Sequence, residues 1–265
     1  MNTGVLSYQE LRELGMSRTA IEHALARGVL MRVARGWYAT TEAHPGVVSA
    51  LKAGARVGCL TGCDLYGLWT PRHGQVHAVY PENRGVRPAK GLVLHSSTHE
   101  RFPRGIVWPL WDCLDQVARR HDAESALIVL ESAVNLGQVT DADARSLISA
   151  LPLKAARAMS LFDVAESGSE TRVRLFFQRR RVPVIPQAYI AGIGRVDLLV
   201  GDRLIIECDS REFHGPDRQV IDRSRDLAAM DLGLERIRLS YPQIWHTWAS
   251  TQVSLNRALQ RRLHR

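Results

Sequence analysis

The sequence predicts an α/β chain, α+β overall, and three observations carry that reading. Apolar residues recur at helical spacing in stretches such as Arg18–Arg27, Ala123–Leu136 and Asp141–Leu151. Short aliphatic runs, among them Val184–Tyr189, Arg195–Val200 and Leu204–Cys208, alternate with turn residues. In the last third a helix, antiparallel strands, a helix, a strand and a final helix succeed one another, which gives a mixed sheet flanked by helices. With 265 residues, 45% of them hydrophobic, the chain can bury the cores of two or three modest domains. The expected divisions are 1–42, 43–155 and 156–265.

Residues 1–42 read as a small winged helix. A short helix over Ser7–Leu14 stops at Gly15, and Ser17 caps a second helix, Arg18–Arg27, with Ile21, Ala24 and Leu25 on one face. Gly28 ends it, and Leu30–Tyr38 alternates as a hairpin with Arg32, Arg35 and Gly36 near the tip. Two helices across a tight turn, then a basic hairpin, form the helix-turn-helix plan with a wing. Arg18, Thr19, Glu22 and His23 then face a DNA groove, with Arg32 and Arg35 on phosphates. The formal charge of +8, carried almost wholly by arginine, agrees with an anionic partner.

The middle segment offers little chemistry. Its strands include "QVHAVYP" and "GLVLHSS", and His73, His77, His95 and His99 are spread over strands and turns. His77 and His95 can meet across paired strands and are read as satisfied structural histidines. Trp108, Trp111 and Leu114, near helical spacing, are read as core. Cys59 and Cys63 share one helix face with no third or fourth ligand near in the sequence, so no zinc site is expected. Four cysteines in a chain this long point to a reducing cytosol. The first twenty residues hold Glu10, Arg12 and Glu13, which excludes a signal peptide, and no run is long enough to span a bilayer. A cytoplasmic protein is expected.

The stretch "LSYQELRELGMSRTAIEHALARGVLMRVARGWYAT" resembles the N-terminal winged helix of abortive-infection type IV antitoxins, most specifically in "GVLMRVARGWY". The segment 43–155 is similar in outline to the α+β domain of the same antitoxins. The resemblance implies a transcriptional regulator encoded beside a toxin, which makes a toxin protein a partner to consider next to DNA or a second copy of the chain.

In the third segment Ser167 or Ser169 caps a helix starting near Glu170, with Val173, Leu175, Phe176 and Phe177 on its apolar side and Arg172 and Arg174 making it basic. Two apolar strands then meet at a Gly201-Asp202 turn. Asp197 opens the first and Glu207 closes the second, so an antiparallel pairing sets two carboxylates side by side. Like charges there are unfavourable unless a cation lies between them, and a divalent metal is the simplest one. Metal-bridged carboxylates are suited to cutting phosphodiester bonds.

"SETRVRLFF", "RVDLLV", "LIIECDSREFH" and "DRSRDLAAMDLGLERIRL" resemble the very-short-patch-repair-like branch of the restriction-endonuclease-like nucleases, the PD-(D/E)xK superfamily, from Gly168 onwards. The resemblance implies Mg²⁺ or Mn²⁺ on Asp197, Glu207 and the backbone carbonyl of Cys208, with Glu170 reaching the metal through water. A Glu at that position also stabilises a helix start on its own. The superfamily's lysine is replaced by Asp209, and the last lysine of the chain is Lys154. Asp209 and His214 are therefore the groups expected to orient or deprotonate the attacking water, as histidine does in this branch. The zinc cluster of the founding repair enzymes has no counterpart here, so mismatch specificity is not carried over. Arg225 supports a scissile phosphate or pairs with Asp222 or Asp226, and Arg172 adds to the DNA-facing charge.

The expected function is metal-dependent DNA cleavage by activated water, with the winged helix choosing the site. A non-catalytic regulator or antitoxin that retains a degenerate nuclease fold is the competing reading, and an RNA nuclease a third.

Overall fold

Serines cap the first two helices, Ser17 as the spacing predicts and Ser7 through a capping box not assigned from the sequence. Ser7 Oγ accepts the Glu10 N–H at 3.1 Å while the Glu10 carboxylate accepts the Ser7 N–H at 2.6 Å, and Ser17 Oγ accepts the Ala20 N–H at 3.0 Å. In the computed structural model, which describes residues 3–98, 100–209 (Asp209 by its backbone alone) and 225–265, the chain divides into two units, Met1–Arg120 and His121–Arg265. Both mix helices with sheets.

The N-terminal unit runs β1 (Val5–Ser7), α1 (Tyr8–Glu13), α2 (Arg18–Ala26), β2 (Leu30–Ala34), β3 (Trp37–Thr40), α3 (Pro45–Ala53), β4 (Arg56–Val57), α4 (Cys59–Leu65), β5 (Val76–Pro81), β6 (Leu92–Ser97) and α5 (Leu110–Arg120). β1, β3 and β2 form an antiparallel sheet in that order, and α1 and α2 pack on it through Leu11, Ile21, Leu30 and Tyr38. A second sheet, β4-β5-β6, has one antiparallel and one parallel pairing. Val5 and Ala39 share a buried cluster with Val47, Ala50, Val57 and Ala78. The winged helix therefore shares its core with α3 and the second sheet, although the sequence suggested a division at residue 42. Trp108 and Leu114 are buried, but Trp111 is 44% exposed. α5 begins only at Leu110, so Trp108 precedes the helix and the inferred helical spacing does not hold.

The C-terminal unit runs α6 (Ala123–Asn135), α7 (Asp141–Ser149), α8 (Leu153–Ala158), α9 (Gly168–Gln178), β7 (Val184–Ile190), β8 (Gly194–Val200), β9 (Leu204–Asp209), a helix α10 over 225–231, β10 (Glu235–Ser240), α11 (Tyr241–Trp245) and α12 (Trp248–Gln260). The sheet order is β10-β9-β8-β7, antiparallel except for the parallel pair β9–β10. One face packs Leu198, Val200, Leu204 and Ile206 against Val173, Phe176 and Phe177 of α9 and Leu255 of α12. A separate buried cluster joins Val196 and Ile205 with Ala229.

α6 belongs to this unit for an electrostatic reason that the sequence hid. Arg174, expected on a basic helix face, is fully buried and ion-paired with Glu131 of α6. Thr171 Oγ1 donates to the same carboxylate at 2.7 Å, and Arg174 also donates to the Leu161 carbonyl and Gln178 Oε1, both at 2.7 Å. Glu131 and Arg174 draw further partners from three segments, which offset much of the cost of burying the two charges, although Arg174 Nε has no hydrogen-bond partner among the described residues. No helix among the described residues is long and apolar enough to cross a membrane.

Candidate functional site

The β8–β9 hairpin builds the site. Leu198 pairs with Ile206, Leu199 with Ile205 and Val200 with Leu204, closing a loop of Gly201–Arg203. Asp197 and Glu207 are the next residues outward on the two strands, on the same face, as expected. Asp197 is in the body of β8 and does not open it. The ladder stops there because the Asp197 side chain takes over: its Oδ2 accepts the Cys208 N–H at 2.8 Å.

Burial pushes the Asp197 carboxyl up to about 6 against the opposing Cys208 N–H, and Glu170, Glu207 and Glu166 add repulsion in the same direction as burial. Glu170 and Glu207, the other two carboxylates expected from the sequence, therefore lie close enough to act on the charge of Asp197. Glu170 is 5% exposed. One oxygen accepts the Ser167 hydroxyl at 2.8 Å, and the other accepts the Glu166 N–H at 3.0 Å and Gln187 Nε2 at 2.7 Å. Burial raises its pKa.

Gln187 is a site residue that the sequence did not reveal. Its φ is 51°, in the left-handed region that side-chain-bearing residues avoid. The β7–β8 pairing runs from Pro186–Leu198 to Ala188–Val196 and omits Gln187 opposite Asp197. Nothing in its local sequence marks a strained strand residue.

Glu207 has cationic company. Arg236 of β10 pairs with it, Arg238 approaches to 3.3 Å and Arg225 to 3.6 Å. Arg236 and Arg238 also hold Asp226 at 2.6 and 3.0 Å. Arg225 is anchored on the backbone oxygens of Ile193 and Arg195, at 3.0 and 2.6 Å. Its acidic neighbour is thus Glu207, while Asp226 is taken by the two β10 arginines; Asp222 lies outside the described residues. Cys208 pairs with Leu239 across β9–β10. The Asp209 side chain and the whole of His214 lie outside the described residues.

The winged helix presents its expected residues to solvent. Arg18, Thr19 and His23 on α2 and Arg32 and Arg35 on the hairpin are all exposed, and Arg18 pairs with Glu22 at 3.0 Å. Arg172 does not join them. Its guanidinium lies over the Trp245 and Trp248 rings, pairs with Glu124 at 3.1 Å and donates to the Ile244 carbonyl, which gives it a packing role inside the C-terminal unit. His77 and His95 do meet, with Nδ1 and Nε2 3.0 Å apart, and Cys59 joins them, contrary to the expectation that no further ligand stands near it.

No curated protein matches the chain. Residues 1–41, which carry the two helices and the basic hairpin, match the family described as a transcriptional regulator, AbiEi antitoxin.

Proposed function

We propose that the chain is a DNA-binding protein whose C-terminal unit hydrolyses phosphodiester bonds. The observation that carries this reading is the meeting of Asp197 and Glu207 at one end of a hairpin, with Glu170 behind them. A carboxylate raised to about 6 by burial and like charges costs the fold stability. Hard carboxylate oxygens crowded in this way fit a divalent cation such as Mg²⁺ or Mn²⁺. Asp197, Glu207 and the Cys208 carbonyl would hold it, and a bound ion would supply an activated water and neutralise charge at phosphorus.

The protein's own groups do the rest. Glu170, held by Ser167, Glu166 and Gln187, stiffens the wall behind Asp197. The guanidiniums of Arg225, Arg236 and Arg238 orient Glu207 and favour an approaching phosphate. Asp209 and His214 are assigned to the proton of the attacking water. The exposed residues of α2 and the hairpin bring duplex DNA to the protein through the major groove and its phosphates. The match of residues 1–41 supports this DNA-binding half.

A second reading is favoured by the three arginines on Glu207, which already balance its charge, and by the antitoxin match. In it the same fold binds DNA, or a toxin partner, without cutting. Labelled single-stranded and duplex DNA incubated with the full chain in Mg²⁺, Mn²⁺ or EDTA separates the two. Metal-dependent cutting that Asp197→Ala abolishes establishes the nuclease. Wild type and variant that both shift duplex DNA and leave it intact establish the regulator.

A further inference from the structure

Cys59, His77, His95 and His121 each offer one ligand atom, and these four atoms all lie within 4.8 Å of one another. The residues are far apart in sequence, and specific bonds bring them together. β5 and β6 pair in parallel with His77 opposite Val93 and Val79 opposite His95. The two histidines therefore share a face, two residues out of step, with their facing nitrogens at 3.0 Å. The Gly58 N–H donates to the His77 carbonyl at 3.2 Å, and the His77 N–H donates to Thr61 Oγ1 at 2.9 Å. The start of α4 is thereby stitched directly to His77. His121 is joined to the end of α5 by one peptide bond, and the preceding Arg120 is hydrogen-bonded to the carbonyl of Ser96, the neighbour of His95.

Cys59 carries a second, independent signal. Its φ is 51°, a backbone conformation that costs a non-glycine residue of order 1–3 kcal/mol. It is held there by its N–H donating to Gln116 Oε1 at 2.8 Å. At Gly58 a side chain would strike the same Gln116 oxygen and Val79, so the loop admits only glycine before the cysteine. The effect of this strained, tightly packed turn is to aim one thiol, fully buried, at a pair of imidazoles. Strain of this kind is retained where geometry at a site requires it.

We propose that Cys59, His77, His95 and His121 form a closed zinc site that pins α4 and the end of α5 to the β5–β6 edge. A thiolate with three imidazoles is a donor set suited to Zn²⁺. Ligand atoms around a tetrahedral zinc lie about 3.3–3.6 Å apart, from bond lengths of about 2.0–2.3 Å. The 3.0 Å histidine contact and the 4.8 Å limit bracket that spacing, so rotations of the side chains suffice to close the site. Four protein ligands leave no open position, which makes the role structural and separates it from the carboxylate cluster.

Metal analysis of the untagged full-length protein after dialysis, and then replacement of the metal with Co²⁺, tests this assignment. A single zinc per chain is expected, with a tetrahedral visible cobalt spectrum and a thiolate-to-cobalt charge-transfer band. Cys59→Ser removes that band and His95→Ala weakens metal retention, whereas Cys63→Ser, a buried thiol on the same helix outside the cluster, leaves both intact. A wild-type chain that holds no zinc and gives no tetrahedral spectrum with added Co²⁺ overturns the site, whatever the folding of the variants. So does a charge-transfer band that survives in Cys59→Ser.

Discussion

Gln187 Nε2 donates to Glu170 Oε2 across 2.7 Å from a backbone held at a φ of 51°, directly opposite Asp197. The strand thus gives up a ladder position, and the carboxylate behind the hairpin gains an extra donor.

Two substitutions separate the strain from the hydrogen bond. Gln187→Ala keeps the unfavourable φ and leaves Glu170 short of a donor, so stability falls by about 1–2 kcal/mol. Gln187→Gly loses the same bond but relieves the backbone, and most of that loss is recovered. Urea midpoints check this, and equal midpoints for the two variants rule out the strain. DNA cleavage falls in both.

Asp197 gives the fold a pH dependence of definite sign. Its folded value of about 6 lies above the ordinary 3.8, so the bound proton stabilises the folded state. That contribution is fully present below 3.8 and is lost as the pH rises through about 6. Asn keeps an acceptor for the Cys208 N–H and carries no charge. In EDTA at about pH 8, Asp197→Asn is expected to be more stable than wild type by about 1–3 kcal/mol, with the difference closing on acidification. Thermal melts at several pH values read it out, and the same variant is inert in the cleavage assay.

The Glu131–Arg174 pair couples α6 to the sheet domain. Glu131→Ala leaves a buried guanidinium without its carboxylate and costs about 3–5 kcal/mol. Joint replacement by Leu and Met restores much of it, because the desolvation cost of both charges disappears together. A double-mutant cycle in urea measures the coupling.

DNA affinity in the winged helix is expected to be electrostatic at the wing. Arg32→Ala and Arg35→Ala each weaken binding to all duplexes alike and lower the slope of log affinity against log salt by about 1. Fluorescence anisotropy over a salt series checks this, and an unchanged slope removes the hairpin from the phosphate contacts.

Local signals in the sequence were enough for much of this architecture. Ser17 caps a helix where its spacing suggests, Ser167 is the cap of the two serines offered for α9, and the alternation in β8 and β9 sets Asp197 against Glu207. What escaped was long-range. Arg174 looks like a solvated charge until Glu131, on a helix forty-three residues earlier, removes it from solvent. Arg172 is drawn onto two tryptophans more than seventy residues away. Cys59 and the three histidines carry no recognisable ligand spacing, because β-pairing and a strained turn bring them together. Gln187 could not be found from composition or period, since its role depends on a single backbone angle.

Glu170 serves two purposes at once: it receives the Ser167 hydroxyl at the start of α9 and it faces Asp197. A related chain that has lost all chemistry would still gain from keeping it, so its presence is a poor reporter of activity. Asp197 has the opposite character. The fold is better off without that charge, so under the proposed nuclease reading a lineage freed from cleavage gains stability by discarding it. When new sequences of this kind are sorted into cutters and silent descendants, the deciding position is therefore the one whose retention carries a penalty.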